Sequence, residues 1–163
     1  MTRVHFVRHG EPDYPLIERY ALRGGYCELL PLSDNGVRQI EAAEERLADK
    51  GIEAVVTSPH PRTLQSAAII SRRLNLPLHT EFGLREWVFK RDLSEYTLDE
   101  FFAVWHKLTS EPDREPPPAA RRTWESLAEI ADRTWKALRN YSHLDAIAVV
   151  THAAVIFAAT RAH

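Results

Sequence analysis

Val4-His5-Phe6-Val7, followed at once by Arg8-His9-Gly10, is the most informative stretch of the chain. A short β-favouring run at the start of a chain predicts a buried first strand, and Gly10 allows the backbone to turn sharply where that strand ends. Ligands of open α/β sheets bind at the carboxyl ends of the strands. The stretch therefore places a guanidinium and an imidazole where a ligand would sit.

An imidazole beside a guanidinium suits nucleophilic attack on a phosphoryl group, since arginine clamps phosphate and histidine supplies a nitrogen nucleophile. Three residues recur by chance, so the interpretation depends on the rest of the site. Three later apolar runs supply it. Arg62 begins a predicted helix, whose N-terminus favours anions, while Glu86 and His152 follow two further strands. The sequence predicts one phosphoryl-transfer site at four strand ends.

Strand and helix patterns alternate along the chain. Strands are predicted at 4–7, 54–57, 78–81 and 146–150, and helices with apolar faces lie between them. One helix is capped by Ser33 or Asp34 and stopped by Gly51. Another carries its apolar residues at i, i+3, i+4 and i+7, which predicts a buried face; these residues are Leu98, Phe101, Phe102 and Trp105. This order predicts an α/β fold with three α/β/α layers and a mainly parallel central sheet.

Composition narrows the class of protein. A chain of 163 residues suits one domain with a real core. Its formal net charge of −2 argues against a nucleic-acid partner, and Cys27 is the one cysteine, so no internal disulfide forms. No signal-peptide core opens the chain, and its longest apolar stretch is shorter than the about 20 residues that cross a bilayer. We expect a cytoplasmic monomer or homodimer without a membrane partner.

The motifs, taken in order, resemble those of the histidine phosphatase superfamily, whose fold is phosphoglycerate-mutase-like. The resemblance covers nearly the whole chain, which implies a single histidine phosphatase domain over residues 1–163. Residues 88–122 are interpreted as a lid insertion over the carboxyl edge of the sheet. The matching segments are Arg8-His9-Gly10-Glu11, residues 31–36 with Gln39, residues 58–67, Leu84-Arg85-Glu86, Glu125-Ser126 with Arg133, and residues 151–156.

The resemblance implies a metal-independent phosphatase that hydrolyses a phosphomonoester of a small metabolite through a phosphohistidine. Neutral His9 attacks phosphorus, and Glu86, whose pKa a neighbouring dianion raises, protonates the leaving alcohol. Arginines supply the positive charge, so no metal or cofactor is implied. The expected catalytic residues are Arg8, His9, Arg62, Glu86 and His152, and the expected substrate-binding residues are Arg8, Gly10, Arg23, Arg62, His152 and Ala153.

Other functions stay open. A phosphoglycerate-type mutase would need segments that hold a bisphosphate, for which this chain is short. A phosphohistidine-protein phosphatase fits the length, but that subgroup tends to lack the acid supplied here by Glu86. Ala153-Ala154 stands where family members usually carry two glycines, which suggests a phosphate-ligand-binding module with weak catalysis. A metallohydrolase would need ligand spacing such as His-Glu-x-x-His, and the sequence has none.

Some roles within the site also have alternatives. Glu11 and Glu81 lie near predicted strand ends and compete with Glu86 for the role of acid. His60 is either a surface residue of a turn or a wall of the pocket. Arg23 either reaches the phosphate from the first loop or is solvated.

Overall fold

Four parallel strands form the centre of the fold. The structure is a computed structural model that describes residues 1–92, 94–112, 118 and 122–161. The strands are β1 (Arg3–Arg8), β2 (Ala54–Thr57), β3 (Leu78–Thr80) and β4 (Ala146–Thr151). They lie in the order β1-β4-β2-β3, and each neighbouring pair is parallel. The predicted strands and their parallel arrangement are confirmed.

The helices of the described residues lie between and beside these strands. The α-helices are α1 (Pro15–Tyr20), α2 (Asp34–Glu45), α3 (Pro61–Leu74), α4 (Leu98–Ser110), α5 (Leu127–Leu138) and α6 (Ala153–Arg161). Two short 3-10 helices lie close to the candidate site, at Gly24–Leu29 and Phe82–Leu84. None of the helices described combines the length and apolarity that a membrane span needs.

Strand β4 shows why the fold has three layers. It is buried along its whole length, and successive side chains of a strand point to opposite faces of its sheet. Val150 packs with Ile70 of α3 on one face, whereas Val149 packs with Leu138 of α5 on the other. Both faces of the sheet are therefore covered by helices, as the near-continuous apolar run of β4 predicts.

The start of helix α2 is confirmed, but its predicted end is wrong. The Ser33 hydroxyl accepts a backbone N–H of the first turn at 3.0 Å. The helix ends at Glu45, well before Gly51. Beyond that point the chain turns through tighter hydrogen bonds, including one of 3.0 Å from the Lys50 N–H to the Leu47 carbonyl. Gly51, with φ of +65°, serves the turn towards β2.

Helix α4 forms where the apolar spacing predicts it, but its predicted face is only partly buried. Phe101 and Trp105 pack against Trp87, with ring centroids 5.1 and 5.7 Å away. Phe102, by contrast, is 52% exposed. The prediction of a fully buried face is wrong because one side of α4 lines a cavity instead of the core. Residues 88–122 belong to the expected lid, of which residues 93, 113–117 and 119–121 lie outside the described residues. The lid stays a prediction.

Gly10 and Gly36 allow the loop after β1 and the first turn of α2 to lie in close contact. A Cβ atom on Gly36 would clash with the carbonyl oxygen of Glu11, and one on Gly10 with that of Gly36. Because these obstacles are backbone atoms, we expect Gly36→Ala to lower the free energy of unfolding by about 1–3 kcal/mol. Gly25→Ala is the control, since nothing lies within 4 Å of its added Cβ. Denaturant midpoints measure both effects, and an unchanged midpoint for Gly36→Ala would contradict the packing described.

Candidate active site

Four of the predicted residues meet at the carboxyl edge of the sheet. His9 follows β1 and His152 joins β4 to α6, while Arg62 lies in the first turn of α3. Glu86 follows the 3-10 helix beyond β3. The Arg62 guanidinium links them: its Nε lies 3.2 Å from His9 Nε2, and its Nη2 lies 3.2 Å from His152 Nδ1. The same Nη2 lies 3.5 Å from Glu86 Oε2. The strand order thus gathers residues that are distant in sequence.

His9 is held in one orientation by a backbone carbonyl, and its surroundings favour the neutral imidazole. Its Nδ1 lies 2.7 Å from the Gly10 carbonyl oxygen, and because a carbonyl can only accept, Nδ1 carries the proton. Its Nε2 keeps a lone pair, to which Arg62 Nε donates. Burial lowers the pKa of His9 to about 3, and the charges of Arg62 and His152 act in the same direction. These contacts agree with the neutral His9 that the sequence analysis expects, and the backbone carbonyl fixes the orientation of its ring.

Glu28 binds Arg62, a contact that sequence analysis did not anticipate. Arg62 Nη1 donates to the Glu28 carbonyl at 2.9 Å, and Nη2 donates to Glu28 Oε2 at 2.6 Å. Burial raises the pKa of Glu28, and the Glu86 carboxylate acts in the same direction. The 3-10 helix that carries Glu28 lies in an irregular loop without apolar periodicity, so no sequence signal placed this side chain in the site.

Glu86 is surrounded by cationic and donor groups. Its Oε1 accepts the Trp87 N–H at 2.9 Å, and its Oε2 lies 3.2 Å from His152 Nδ1. Burial acts to raise the pKa of Glu86, but His152 and Arg62 outweigh burial and hold the pKa below its usual range. The expected rise of this pKa assumed a phosphate dianion beside Glu86, whose charge would oppose that of Arg62, so the rise stays a prediction for the substrate complex.

A buried hydrogen-bond network orients the His152 ring on the side away from Arg62. His152 is fully buried, and its Nε2 lies 2.8 Å from the Ser58 hydroxyl. The same hydroxyl lies 3.0 Å from His60 Nδ1, and the His60 ring meets the His152 ring edge-on at 4.7 Å. Burial lowers the pKa of His60 to about 3. The open question about His60 is resolved: it lies in a wall of the site, facing Glu28 at 3.6 Å.

A cavity of about 220 Å³ opens onto this cluster. We call it the central cavity. Among the predicted substrate-binding residues, Arg8, Arg62 and Ala153 line it. The full set of its described lining residues is Arg8, His9, Pro12, Tyr14, Ile17, Cys27, Glu28, Leu30, Arg62, Glu86, Leu98, Phe101, Phe102, Trp105, Ala153 and Ala154.

Three predicted substrate-binding residues are absent from this lining: His152 is buried behind it in contact with Arg62, whereas Gly10 and Arg23 lie elsewhere. Arg23 is exposed and lines a separate depression with Glu95. The Gly10 N–H donates to the Ser66 hydroxyl at 3.2 Å instead of facing the central cavity. Gly10 orients His9 through its carbonyl and lines a second depression with Arg8 and His9. Direct contact of Gly10 and Arg23 with the substrate stays a prediction.

The other candidate acids also have structural partners outside the central cavity. Glu81 Oε1 accepts from the Tyr141 hydroxyl at 3.0 Å. Glu11 accepts from Ser33 at 3.1 Å and from Asn35 at 3.0 Å. Glu86 and Glu28 are the carboxylates among the described residues that line the cavity.

His9, Glu86 and His152 could together offer ligands to a metal ion, since their donor atoms all lie within 4.8 Å of one another. Zinc commonly takes this type of ligand set. However, Arg62 donates to His9 and lies 3.2 Å from His152 Nδ1. Its positive charge opposes a dication at this place and favours an anion.

The arrangement has the parts that phosphoryl transfer requires. A neutral imidazole faces a cavity beside a buried guanidinium that can fork onto phosphate oxygens. A carboxyl group lies close enough to exchange a proton with an oxygen bound there. No other described cluster combines a nucleophile, an anion clamp and an acid in this way.

Comparison with known proteins gives a family and a fold. The sequence model of the histidine phosphatase superfamily (branch 1) matches residues 4–163. A probable phosphoglycerate mutase of Proteus mirabilis is 31% identical over 146 residues, which are 86% of this chain and 63% of that protein. The chain therefore spans less than two thirds of the length of this relative. An uncharacterized phosphatase of Bacillus subtilis is 29% identical over 161 residues, covering 97% of this chain and 75% of that protein.

A solved structure supports the same fold. The mycobacterial glucosyl-3-phosphoglycerate phosphatase in complex with VO3 superposes with a TM-score of 0.74 at 23% identity. The match covers 99% of this chain and 81% of that one. At this identity the likeness establishes the architecture and leaves the substrate to be argued from the site.

The lowered pKa values predict how stability depends on pH. His9 and His60 bind fewer protons in the folded chain than in the unfolded chain between about pH 3 and pH 6.5, so acidification favours unfolding. We expect the free energy of unfolding to fall from about pH 6.5 to pH 5, and His9→Asn to reduce that slope. Asparagine keeps a donor for the Gly10 carbonyl, and the raised pKa of Glu28 acts equally in both proteins. Denaturant titrations at the two pH values measure the slopes; identical slopes would contradict the burial of His9.

Proposed function

The chain belongs to the histidine phosphatase superfamily (branch 1), and on that premise we propose that it hydrolyses phosphomonoesters of a small metabolite through a phosphohistidine intermediate. The observation that carries the proposal is the state of His9. Its proton is fixed on Nδ1 by the Gly10 carbonyl at 2.7 Å. Its lone pair lies on Nε2, beside Arg62 at 3.2 Å.

The proposed reaction has two steps. His9 Nε2 forms a bond to phosphorus while the bond from phosphorus to the alcohol oxygen breaks, and protonated Glu86 gives its proton to that oxygen. A water molecule then attacks phosphorus, Glu86 takes its proton, and the bond to His9 breaks with release of phosphate. Arg8, Arg62 and His152 bind the phosphoryl oxygens and stabilise the charge that shifts during both steps.

Proton transfer by Glu86 depends on the bound substrate. Arg62 and His152 hold the pKa of Glu86 below its usual range in this structure. A phosphoryl dianion brought against the same two groups would offset their positive field and raise that pKa towards the range a proton donor needs. Substrate binding therefore favours the protonated form of Glu86 that the first step requires.

Several further expectations accompany this proposal. We propose that catalysis is metal-independent, since Arg62 supplies positive charge at the position where a metal would sit. Undiminished activity in excess EDTA would support this. The lid role of residues 88–122, a cytoplasmic location and a monomeric or homodimeric state are likewise proposals carried from the sequence.

The direct test of the function is His9→Ala. Wild-type protein should hydrolyse p-nitrophenyl phosphate steadily and, after rapid quenching, yield an acid-labile, base-stable phosphoenzyme. Both signals should disappear in His9→Ala, because alanine offers no nucleophile. His143→Ala, which removes an exposed imidazole, should behave as wild type. Parental turnover in His9→Ala would exclude the mechanism, and absence of turnover in the wild type would favour the binding-module alternative.

Glu28 must give up Arg62 when phosphate binds, because it holds both terminal nitrogens of that guanidinium. We expect Glu28→Gln to tighten binding of inorganic phosphate by about tenfold, since a neutral amide competes less well for arginine than a carboxylate does. Glu18→Gln makes the same charge change at an exposed position of α1 and should leave the affinity unchanged. Calorimetry measures the three dissociation constants. Equal affinities would show that Glu28 does not compete with phosphate.

A further inference from the structure

The central cavity has two chemically different ends. Arg8 and Arg62 lie with His9 at one end and are its cationic residues among those the structure describes. The rest of the wall is mainly apolar. Its large apolar side chains are Leu98, Phe101, Phe102 and Trp105 of α4, with Ile17 and Leu30, and Tyr14 and Cys27 also line it.

The aromatic side chains of α4 pack against neighbouring rings on their buried side, and Phe102 is exposed where it lines the cavity. Trp105 packs edge-on against Phe157, with ring centroids 5.8 Å apart, and Phe101 packs against Phe89 at 5.8 Å. Phe102 contacts Phe101 at 5.5 Å but is 52% exposed. A hydrocarbon group that covered Phe102 would remove apolar surface of both partners from water, which favours binding.

Charge balance argues against a second anionic group on the substrate. The two lining guanidiniums face two lining carboxylates, Glu28 and Glu86. A phosphoryl group engages both guanidiniums, so no described lining cation is left for a carboxylate elsewhere in the substrate. Such a carboxylate would instead lie in a cavity that already holds Glu28, and unpaired like charges in a confined site repel each other strongly.

A neighbouring depression could in principle receive such a group. It is lined by Arg85 and Lys90 and shares Glu28 and Glu86 with the central cavity. Arg85, however, is held by Glu125 at 2.8 Å, and His9 is absent from the described lining of this depression. Another depression is lined by Arg8 and His9, but neither Arg62 nor Glu86 is among its described lining residues. A phosphoryl group that Arg62 holds at His9, beside Glu86, therefore extends its alcohol into the central cavity, towards α4.

We propose that the substrates are phosphomonoesters of small, uncharged, apolar alcohols, with one ring or a short hydrocarbon chain against α4. This inference rests on the proposed function, because it extends a phosphoryl group held at His9 into a leaving group. The cavity of about 220 Å³ sets the size, since sites for drug-sized ligands have roughly 300–1,000 Å³. Phosphorylated acids such as 3-phosphoglycerate are disfavoured.

Alkylphosphonates test the apolar wall without requiring turnover. We expect hexylphosphonate to bind about tenfold or more tightly than methylphosphonate, because binding strengthens with each methylene group that leaves water. Phe102→Ala should shrink this difference several-fold through weaker hexylphosphonate binding, with methylphosphonate unaffected. Phe82→Ala removes an exposed ring outside the cavity and should change neither. Equal affinities for the two phosphonates, or equal losses for both in Phe102→Ala, would overturn the inference.

A matched substrate pair tests the exclusion of a second anion. Glycerol 3-phosphate differs from 3-phosphoglycerate by a hydroxymethyl group in place of the carboxylate. We expect kcat/KM to favour glycerol 3-phosphate by about tenfold, and Glu28→Gln to narrow this preference. A preference for 3-phosphoglycerate would overturn the inference. Length-dependent phosphonate binding without hydrolysis of any ester, p-nitrophenyl phosphate included, would support the ligand class while refuting the proposed function.

Discussion

The Arg62 guanidinium is the interaction on which the rest of the site depends. It is 5% exposed, and its nitrogens contact His9, His152, Glu86 and Glu28. A buried charge is costly unless it is paired and hydrogen-bonded. The carboxylates meet that requirement in this structure, and a phosphoryl group would meet it during catalysis. Because buried Arg62 requires a negatively charged partner, it favours anionic ligands and holds them close to His9.

The parallel sheet is what allows one guanidinium to reach so many partners. Each strand ends at the same edge, and β4 lies between β1 and β2. His152 is thereby held between His9 and Arg62, although it comes from the far end of the chain. The helices on both faces bury the central strands β2 and β4, so the functional side chains project from a rigid base. The close approach of Gly36 in α2 to the loop after β1 fixes the backbone carbonyl that orients His9.

Two carboxyl groups share this site under opposite electrostatic conditions. Burial raises the pKa of Glu28, whereas His152 and Arg62 overcome burial and lower that of Glu86. Both carboxylates contact the guanidinium, but Glu86 also accepts hydrogen bonds from His152 and the Trp87 N–H, whereas the negative charge of Glu86 acts on Glu28. A bound phosphoryl group would displace the Glu28 carboxylate from Arg62 and place a dianion beside Glu86. The dianion would raise the pKa of Glu86. In the proposed reaction, one guanidinium therefore couples substrate binding to protonation of Glu86.

By itself the sequence determined the α/β fold, the strands and most of the site. Apolar runs and helical spacing are local signals. Each predicted site residue follows such a run, so the parallel order of the strands brings these residues together; they are His9, Arg62, Glu86 and His152. Only the tertiary structure decided that Glu28 contacts Arg62 and that Phe102 is partly exposed. It also decided that the Gly10 carbonyl orients His9 and that Arg23 lies outside the lining of the cavity. These depend on how irregular loops and α4 pack against residues far away in the chain. The direction of the Glu86 pKa shift was decided there too, because it results from burial together with the charges of His152 and Arg62, which come from distant parts of the chain, and no local pattern encodes such a sum.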